Sequence, residues 1–326
     1  MVATCDMEYT DILAAIQAMI RKSQPLPLDD AAGRRAMIAQ RFSTIKPFHY
    51  DDPKVDMRQY TLELPDGHKV EIYGFHPSPS SDSSPPSPTA AVMYLHGGGM
   101  TMGTALDSRS LLTWYSSSAG LPLFSVEYRL APEYPYPTPV EDCYASLKWL
   151  HQEAAHLNID PSRIAVMGDS AGGGLSAAVA LLARDRAELP HPLAKQILIQ
   201  PMLDDRNGSA EPSSYLSEVA TWTWDDNLAG WTALLGSRTG SDDVPCYASP
   251  ARATDLRGLP STYIDVGMLD IFVSQVVEFA SRLRAAGVEA RCELYPQVPH
   301  AFHSILAETQ VAHKARQNHI HALLSF

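Results

Sequence analysis

Ile164-Ala165-Val166-Met167-Gly168-Asp169-Ser170-Ala171-Gly172-Gly173-Gly174-Leu175-Ser176-Ala177-Ala178 is the stretch on which the fold turns. The apolar run Ile164–Met167 reads as a strand buried on both faces, and the small-residue run Ala171–Arg186 as a helix. Between them Gly168-Asp169-Ser170-Ala171-Gly172 spells G-x-S-x-G. Flanking glycines let the backbone pass sharply from strand to helix, and a serine at that corner projects its hydroxyl into the open. The helix start behind it presents unpaired N–H groups and the positive end of a dipole. The pentapeptide alone is a weak signal; in this setting it is a specific one.

Outward from this point, short apolar runs alternate with helical patterns. Strands are expected at Ala91–Leu95, Leu123–Glu127, Gln196–Gln200, Thr262–Val266 and Arg291–Tyr295, beside Ile164–Gly168. Helices are expected at Ser110–Ala119, Pro139–Glu153, Trp222–Leu235, Ile271–Ala286 (capped by Gly287) and Thr309–Leu324. Gln59–Leu64 and Val70–Phe75 alternate around Pro65-Asp66-Gly67 and read as an antiparallel hairpin. The sum is an α/β chain with about eight strands, mostly parallel, covered by helices on both faces. Two amphipathic helices, Asp6–Arg21 and Asp29–Phe42, precede all strands and read as an appended element. His76–Ala90 is Pro/Ser-rich, with 11 of 15 residues of those two types, and reads as a solvated loop.

Three strand ends carry chemistry. Ser170 follows one. His96-Gly97-Gly98-Gly99 follows Ala91–Leu95, where glycines let backbone N–H groups approach a ligand closely. His96 itself is read as a brace for that loop. A serine nucleophile needs a base and an orienter, in the chain order Ser, Asp, His for this topology. Asp270 lies just past Thr262–Val266, while Asp265, inside that strand, is less well placed. His300 lies in the loop after Arg291–Tyr295; His303 is its rival but falls at the entry of a helix. Open α/β sheets bind ligands at the carboxyl ends of their strands, which is where Asp270 and His300 stand.

The 326 residues carry a formal charge of −12, and 45% of them are apolar. Those values exclude wholesale disorder and speak against nucleic acid or an anionic membrane surface as partner. Proline, at 25 residues against 19 glycines, argues for many fixed turns. No signal peptide or membrane span is read from the chain, so a cytoplasmic location is expected. Cys5, Cys143, Cys246 and Cys292 lack metal or disulfide spacing and read as free thiols. Asn207-Gly208-Ser209 is taken as a chance sequon. No metal and no cofactor is expected.

The motifs together resemble the hormone-sensitive-lipase-like branch of the α/β-hydrolase fold. The resemblance rests on HGGG (His96–Gly99), YRLAPE (Tyr128–Glu133), GDSAGG (Gly168–Gly173), YASPARATDLRGLP (Tyr247–Pro260), GMLD (Gly267–Asp270) and HAF (His300–Phe302). These run in family order from about residue 90 to 303. The resemblance implies Ser170 as nucleophile, His300 as base and Asp270 as its orienter. It also implies an oxyanion hole from the N–H groups of Gly98, Gly99 and Ala171. Residues 1–48 would be an N-terminal helical cap on a catalytic domain of residues 49–326, with a second cap part inserted at about 206–244. Met100 departs from the bulky or aromatic residue common after the glycines. The implied function is hydrolysis of a small to medium soluble ester through an acyl-enzyme. Two alternatives stay open: a lactonase or ring-forming acyl-transfer enzyme, and a non-catalytic small-molecule receptor. The tryptophans Trp222, Trp224 and Trp231 could line a pocket or simply fill core. Oligomeric state is not readable from the chain.

Overall fold

The structure, a computed structural model, describes residues 10–22, 24, 26–43, 45–46, 48–78, 87–207 and 214–326. Helices α1 (Thr10–Lys22) and α2 (Ala31–Phe42) come first, then the hairpin β1 (Val55–Glu63) and β2 (Lys69–Pro77). There follow β3 (Thr89–Leu95), α3 (Arg109–Ala119), β4 (Leu123–Val126), α4 (Thr138–Glu153), β5 (Ile159–Asp169), α5 (Ala171–Arg186) and β6 (Lys195–Ile199). The chain continues through α6 (Ser214–Val219), α7 (Trp224–Leu235), β7 (Ser261–Gly267) and α8 (Val273–Ala285). It closes with β8 (Ala290–Tyr295), α9 (Phe302–Ile305) and α10 (Gln310–Leu323).

One eight-stranded sheet runs in the order β1-β2-β4-β3-β5-β6-β7-β8. The β1–β2 and β2–β4 pairings are antiparallel and the remaining five are parallel. Side chains alternate strictly along the central strands. Ala91, Met93 and Leu95 of β3 join Ile164 and Val166 of β5 in a core shared with α4, α5 and α8. Val92 and Tyr94, with Ala165 and Met167, face the opposite core under α3 and α10. Burial on both faces explains why these strands read as unbroken apolar runs.

From β3 the chain steps to β4 on one side, and later to β5 on the other. The strand order therefore reverses between β3 and β5, and a crevice opens at their carboxyl ends. Leu95 pairs with Gly168, so the glycine loop and the serine turn leave the sheet side by side. Small residues permit this. A Cβ on Gly172 would lie 1.9 Å from the carbonyl oxygen of Leu95, and one on Gly168 2.2 Å from that of Gly172.

Several boundaries differ from the sequence reading. β2 runs on through His76 and Pro77, and β3 begins at Thr89, so the loop is shorter than 76–90. Pairing with β1 carries the hairpin that far: Asp56 faces His76 and Val55 faces Pro77. Residues 79–86 lie outside the described residues, as do Cys5, the first residues of the leading helix and Gly208-Ser209 of the sequon. α7 starts at Trp224 rather than Trp222, because Thr223 and Asp226 form a reciprocal capping box there. α8 starts at Val273 rather than Ile271, the short helix α6 was not anticipated, and the helix at whose entry His303 was placed is the single short turn α9. Cys143, Cys246 and Cys292 are free thiols. Among the described residues no helix is long and apolar enough to cross a membrane.

Candidate active site

Ser170 occupies the turn between β5 and α5 with φ 56° and ψ −116°. A non-glycine residue there is strained, by about 1–3 kcal/mol, and is held by its surroundings. Its N–H donates to Ile199 at 2.9 Å, and its carbonyl accepts from Met202 at 2.9 Å and Gly174 at 3.0 Å. The backbone is thus clamped while the hydroxyl stays directed into the crevice. His300 Nε2 lies 2.9 Å from Ser170 Oγ. On its far side His300 Nδ1 lies 2.6 Å from Asp270 Oδ2, and Asp270 Oδ1 accepts the N–H of Phe272 at 2.9 Å. The hydroxyl of Thr221 donates to the carbonyl of His300 at 2.7 Å, fixing the loop that carries the imidazole.

Ser170, His300 and Asp270 are each more than nine-tenths buried. Burial pushes the His300 imidazole down. The charge and hydrogen bond of Asp270 outweigh it, with help from Asp169, and His300 titrates above its ordinary value.

Gly98 and Gly99 have φ of 118° and 60°, and their neighbours admit no side chain. A Cβ on Gly98 would meet the Met102 carbonyl oxygen at 2.0 Å, and one on Gly99 the indole of Trp222 at 2.6 Å. The carbonyl of Gly98 is tied down by the N–H groups of Thr101 and Met102, each at 3.1 Å. Among the described residues, nothing accepts from the N–H groups of Gly98, Gly99 or Ala171. All three remain available to a ligand.

His96 has the bracing place read from the sequence. Its ring stacks on Tyr128 at 4.2 Å, its Nδ1 lies 2.8 Å from the carbonyl of Gly97, and burial pushes it down to about 4. His303, the rival base, sits on α9 behind the turn, with Nε2 3.3 Å from Asp169 Oδ2 but poorly aligned for a hydrogen bond. Asp265, the rival orienter, is taken by a different histidine, His319, at 2.7 Å. That pairing gave no signal in the sequence, since His319 lies in mid-helix on α10.

A cavity of about 720 Å³ opens over Ser170, walled by α2 (Arg35, Ile38, Ala39, Phe42), the glycine loop, Leu130 and Trp222. Trp222 lies in the cavity wall, its ring 6.4 Å from that of His300; Trp231 is core, with no exposed surface. Met100 turns away, buried beside Gly174 under α7. Arginines of α2 bind it to the site. Arg35 Nε donates to the carbonyl of Thr101 at 2.7 Å, and its guanidinium forks onto Glu133 at 2.7 and 2.8 Å. Arg41 forms a buried ion pair with Asp226 at 2.5 Å and reaches the carbonyl of Thr221 at 3.3 Å.

A family model described as the alpha/beta hydrolase fold matches residues 92–304, from β3 to α9. The chain belongs to the α/β-hydrolase family. Within it the chain falls in the hormone-sensitive-lipase-like branch. This hydrolase is 33% identical over 247 residues to an ethyl acetate hydrolase of Pseudomonas putida, covering 74% of either chain. Its fold superposes on a bacterial heroin esterase with a TM-score of 0.79 and 32% identity, over 95% of this chain and 96% of that one. An esterase of Pyrobaculum calidifontis gives a TM-score of 0.80 at 26% identity, over 97% and 98%. The hydrolase is a serine esterase acting on carboxylic esters.

Proposed function

We propose that this hydrolase cleaves small to medium-sized soluble esters through Ser170, His300 and Asp270, by way of an acyl-enzyme. One observation carries the reading: the unbroken chain from Ser170 Oγ through the His300 imidazole to Asp270 Oδ2, with contacts of 2.9 and 2.6 Å. Its order is the one needed to draw a proton off the serine while the carboxylate holds the ring.

Ser170 Oγ attacks the ester carbonyl carbon as its proton passes to His300 Nε2. The carbonyl oxygen becomes an oxyanion, received by the N–H groups of Gly98, Gly99 and Ala171. These donors, left free by the protein, are aimed from a fixed loop and a helix start, so little reorganisation opposes the charge. The bond to the alcohol oxygen then breaks, and that oxygen takes the proton from Nε2. Water attacks the acyl carbon, giving its proton to Nε2; Ser170 leaves with that proton and the acid is released. Asp270 keeps the proton of the neutral ring on Nδ1 and stabilises the imidazolium that forms twice per turnover.

The cavity is within the range of sites for small organic ligands, and its wall of Ile38, Phe42, Leu130 and Trp222 favours an apolar substrate. The relatives named for ethyl acetate and heroin fit a site for soluble esters of this size. α1 and α2, with the segment at about 206–244, act as a cap over the crevice, and the free thiols fit work in the cytoplasm. Hydrolysis of p-nitrophenyl acetate by the wild type and by Ser170→Ala tests the reading. Wild-type turnover in Ser170→Ala would sink it.

A further inference from the structure

Behind the serine and the histidine lies a side chain that touches neither. Gln200, the residue after β6, is fully buried and has φ of 37°. Its N–H donates to the carbonyl of Asp265 at 2.9 Å. Its side chain reaches both halves of the site. Oε1 accepts the N–H of Ala301 at 2.9 Å. Nε2 donates to Asp169 Oδ1 at 3.0 Å and stands 3.3 Å from His303 Nδ1. A backbone N–H can only donate, so Ala301 decides which end of the amide is oxygen, and the NH₂ group must face Asp169.

Asp169 is the residue before Ser170, and Ala301 the residue after His300. One planar amide therefore spans the turn that carries the nucleophile and the loop that carries the base. Ser170, Gln200 and Ala301 all hold left-handed backbone, with φ of 56°, 37° and 60°. Such conformations persist only where surrounding contacts impose them, and here the Gln200 side chain joins Asp169, next to Ser170, to Ala301.

We propose that Gln200 is a positioning residue: its amide braces the serine turn against the histidine loop and so holds Ser170 Oγ and His300 Nε2 at hydrogen-bonding distance. The inference rests on the reading of those two residues as nucleophile and base. Misplacing reacting groups by about 1 Å can cost on the order of 100-fold in rate, so the brace acts on turnover more than on affinity.

Three variants test it. Gln200→Met removes both hydrogen bonds at similar volume. Gln200→Glu keeps an acceptor for Ala301 but turns a second carboxylate oxygen on Asp169. Adding Asp169→Asn to Gln200→Glu supplies an amide donor to that glutamate and restores the bridge with its polarity reversed. A fluorophosphonate counts the competent serines, so turnover of p-nitrophenyl acetate is taken per labelled site and loss of folded protein is separated from loss of alignment.

In Gln200→Met, kcat per site should fall about 30- to 100-fold, with KM within about threefold and labelling slowed by a similar factor. The double variant should recover at least about tenfold over Gln200→Glu, a rescue that bulk stability does not give. The proposal is overturned by turnover per site within about twofold of wild type in Gln200→Met, or by a double variant no better than Gln200→Glu. If Gln200→Met does not fold, the comparison of Gln200→Glu with the double variant decides alone. Wild-type activity in Ser170→Ala would instead remove the reading on which the inference rests. An inactive Ser170→Ala beside an unaffected Gln200→Met removes the brace only.

Discussion

Among the described residues, two buried histidine–aspartate pairs are built on β7 and its end. His300 meets Asp270 at 2.6 Å; His319 meets Asp265 at 2.7 Å. They differ in what stands at the other imidazole nitrogen. For His300 it is the hydroxyl of Ser170, under an open cavity. For His319 it is the hydroxyl of Tyr115 at 2.6 Å, itself without exposed surface. Asp265 also accepts the hydroxyl of Tyr263 at 3.0 Å, and burial pushes both tyrosines well above their ordinary range. The second pair is a satisfied polar cluster pinning α10 and α3 to the sheet. On the proposed function, a carboxylate-held imidazole is catalytic only where a nucleophile and a way in lie on its far side.

The sharpest break of that symmetry is Ser170→Ala or His300→Gln, each expected to lower kcat for p-nitrophenyl acetate by about 10⁴-fold or more at unchanged folding. Asp270→Asn should cost about 10⁴-fold in kcat, through the wrong tautomer, and should also move the pH profile. With His300 as the proposed base, only its neutral form can take the serine proton, so kcat/KM should rise with pH through a value above the ordinary imidazole pKa of about 6.5. Removing the Asp270 charge leaves the burial that pushes the other way, so the residual acid limb should shift to lower pH. A limb that stays in place would contradict the electrostatic role. Gly99→Ala drives a methyl into Trp222 and should displace a proposed oxyanion donor, at about 2.7–4 kcal/mol or 10²–10³-fold in kcat, measured against p-nitrophenyl acetate.

The second pair should respond oppositely. His319→Gln should lower stability by about 3 kcal/mol in denaturant unfolding, while turnover per folded molecule stays within about threefold. A large loss of turnover there would erase the distinction between the pairs. The smallest effect is expected from Arg35→Met. It frees the Thr101 carbonyl, which lies two residues beyond Gly99, and kcat should fall roughly fivefold to tenfold, with little change from Glu133→Gln because exposed ion pairs contribute ~0–1 kcal/mol. Steady-state kinetics on both variants would show whether α2 steadies the glycine loop or merely rests on it.

All eight strands were legible in the chain: the central ones because burial on both faces leaves short apolar runs, and the β1–β2 hairpin because its residues alternate around a Pro-Asp-Gly turn. So were the serine turn and the glycine loop; His300 and Asp270, preferred over His303 and Asp265 from the sequence, are the two that stand in line with Ser170. Each preference followed from position relative to a strand end. His76 and Pro77 were misread as loop, since composition reports solvation but not cross-strand pairing. The start of α7 was misplaced by two residues, because Trp222 continues the apolar pattern while the Thr223–Asp226 cap overrides it. Gln200, His319, Arg35 and Arg41 were not legible at all. A buried polar side chain is meaningful only through its partners, and theirs lie 54 to 185 residues away in several cases.

By itself the sequence determined the class of fold, the chemistry available and the residues able to perform it, since local periodicity and glycine placement depend on near neighbours. The tertiary structure alone decided which walls enclose the crevice, how the amide of Gln200 reaches both Asp169 and Ala301, and that Asp265 holds His319. Those outcomes depend on register between strands and on contacts across the whole chain. Two aspartates five residues apart, on the same strand and its end, hold different histidines for that reason.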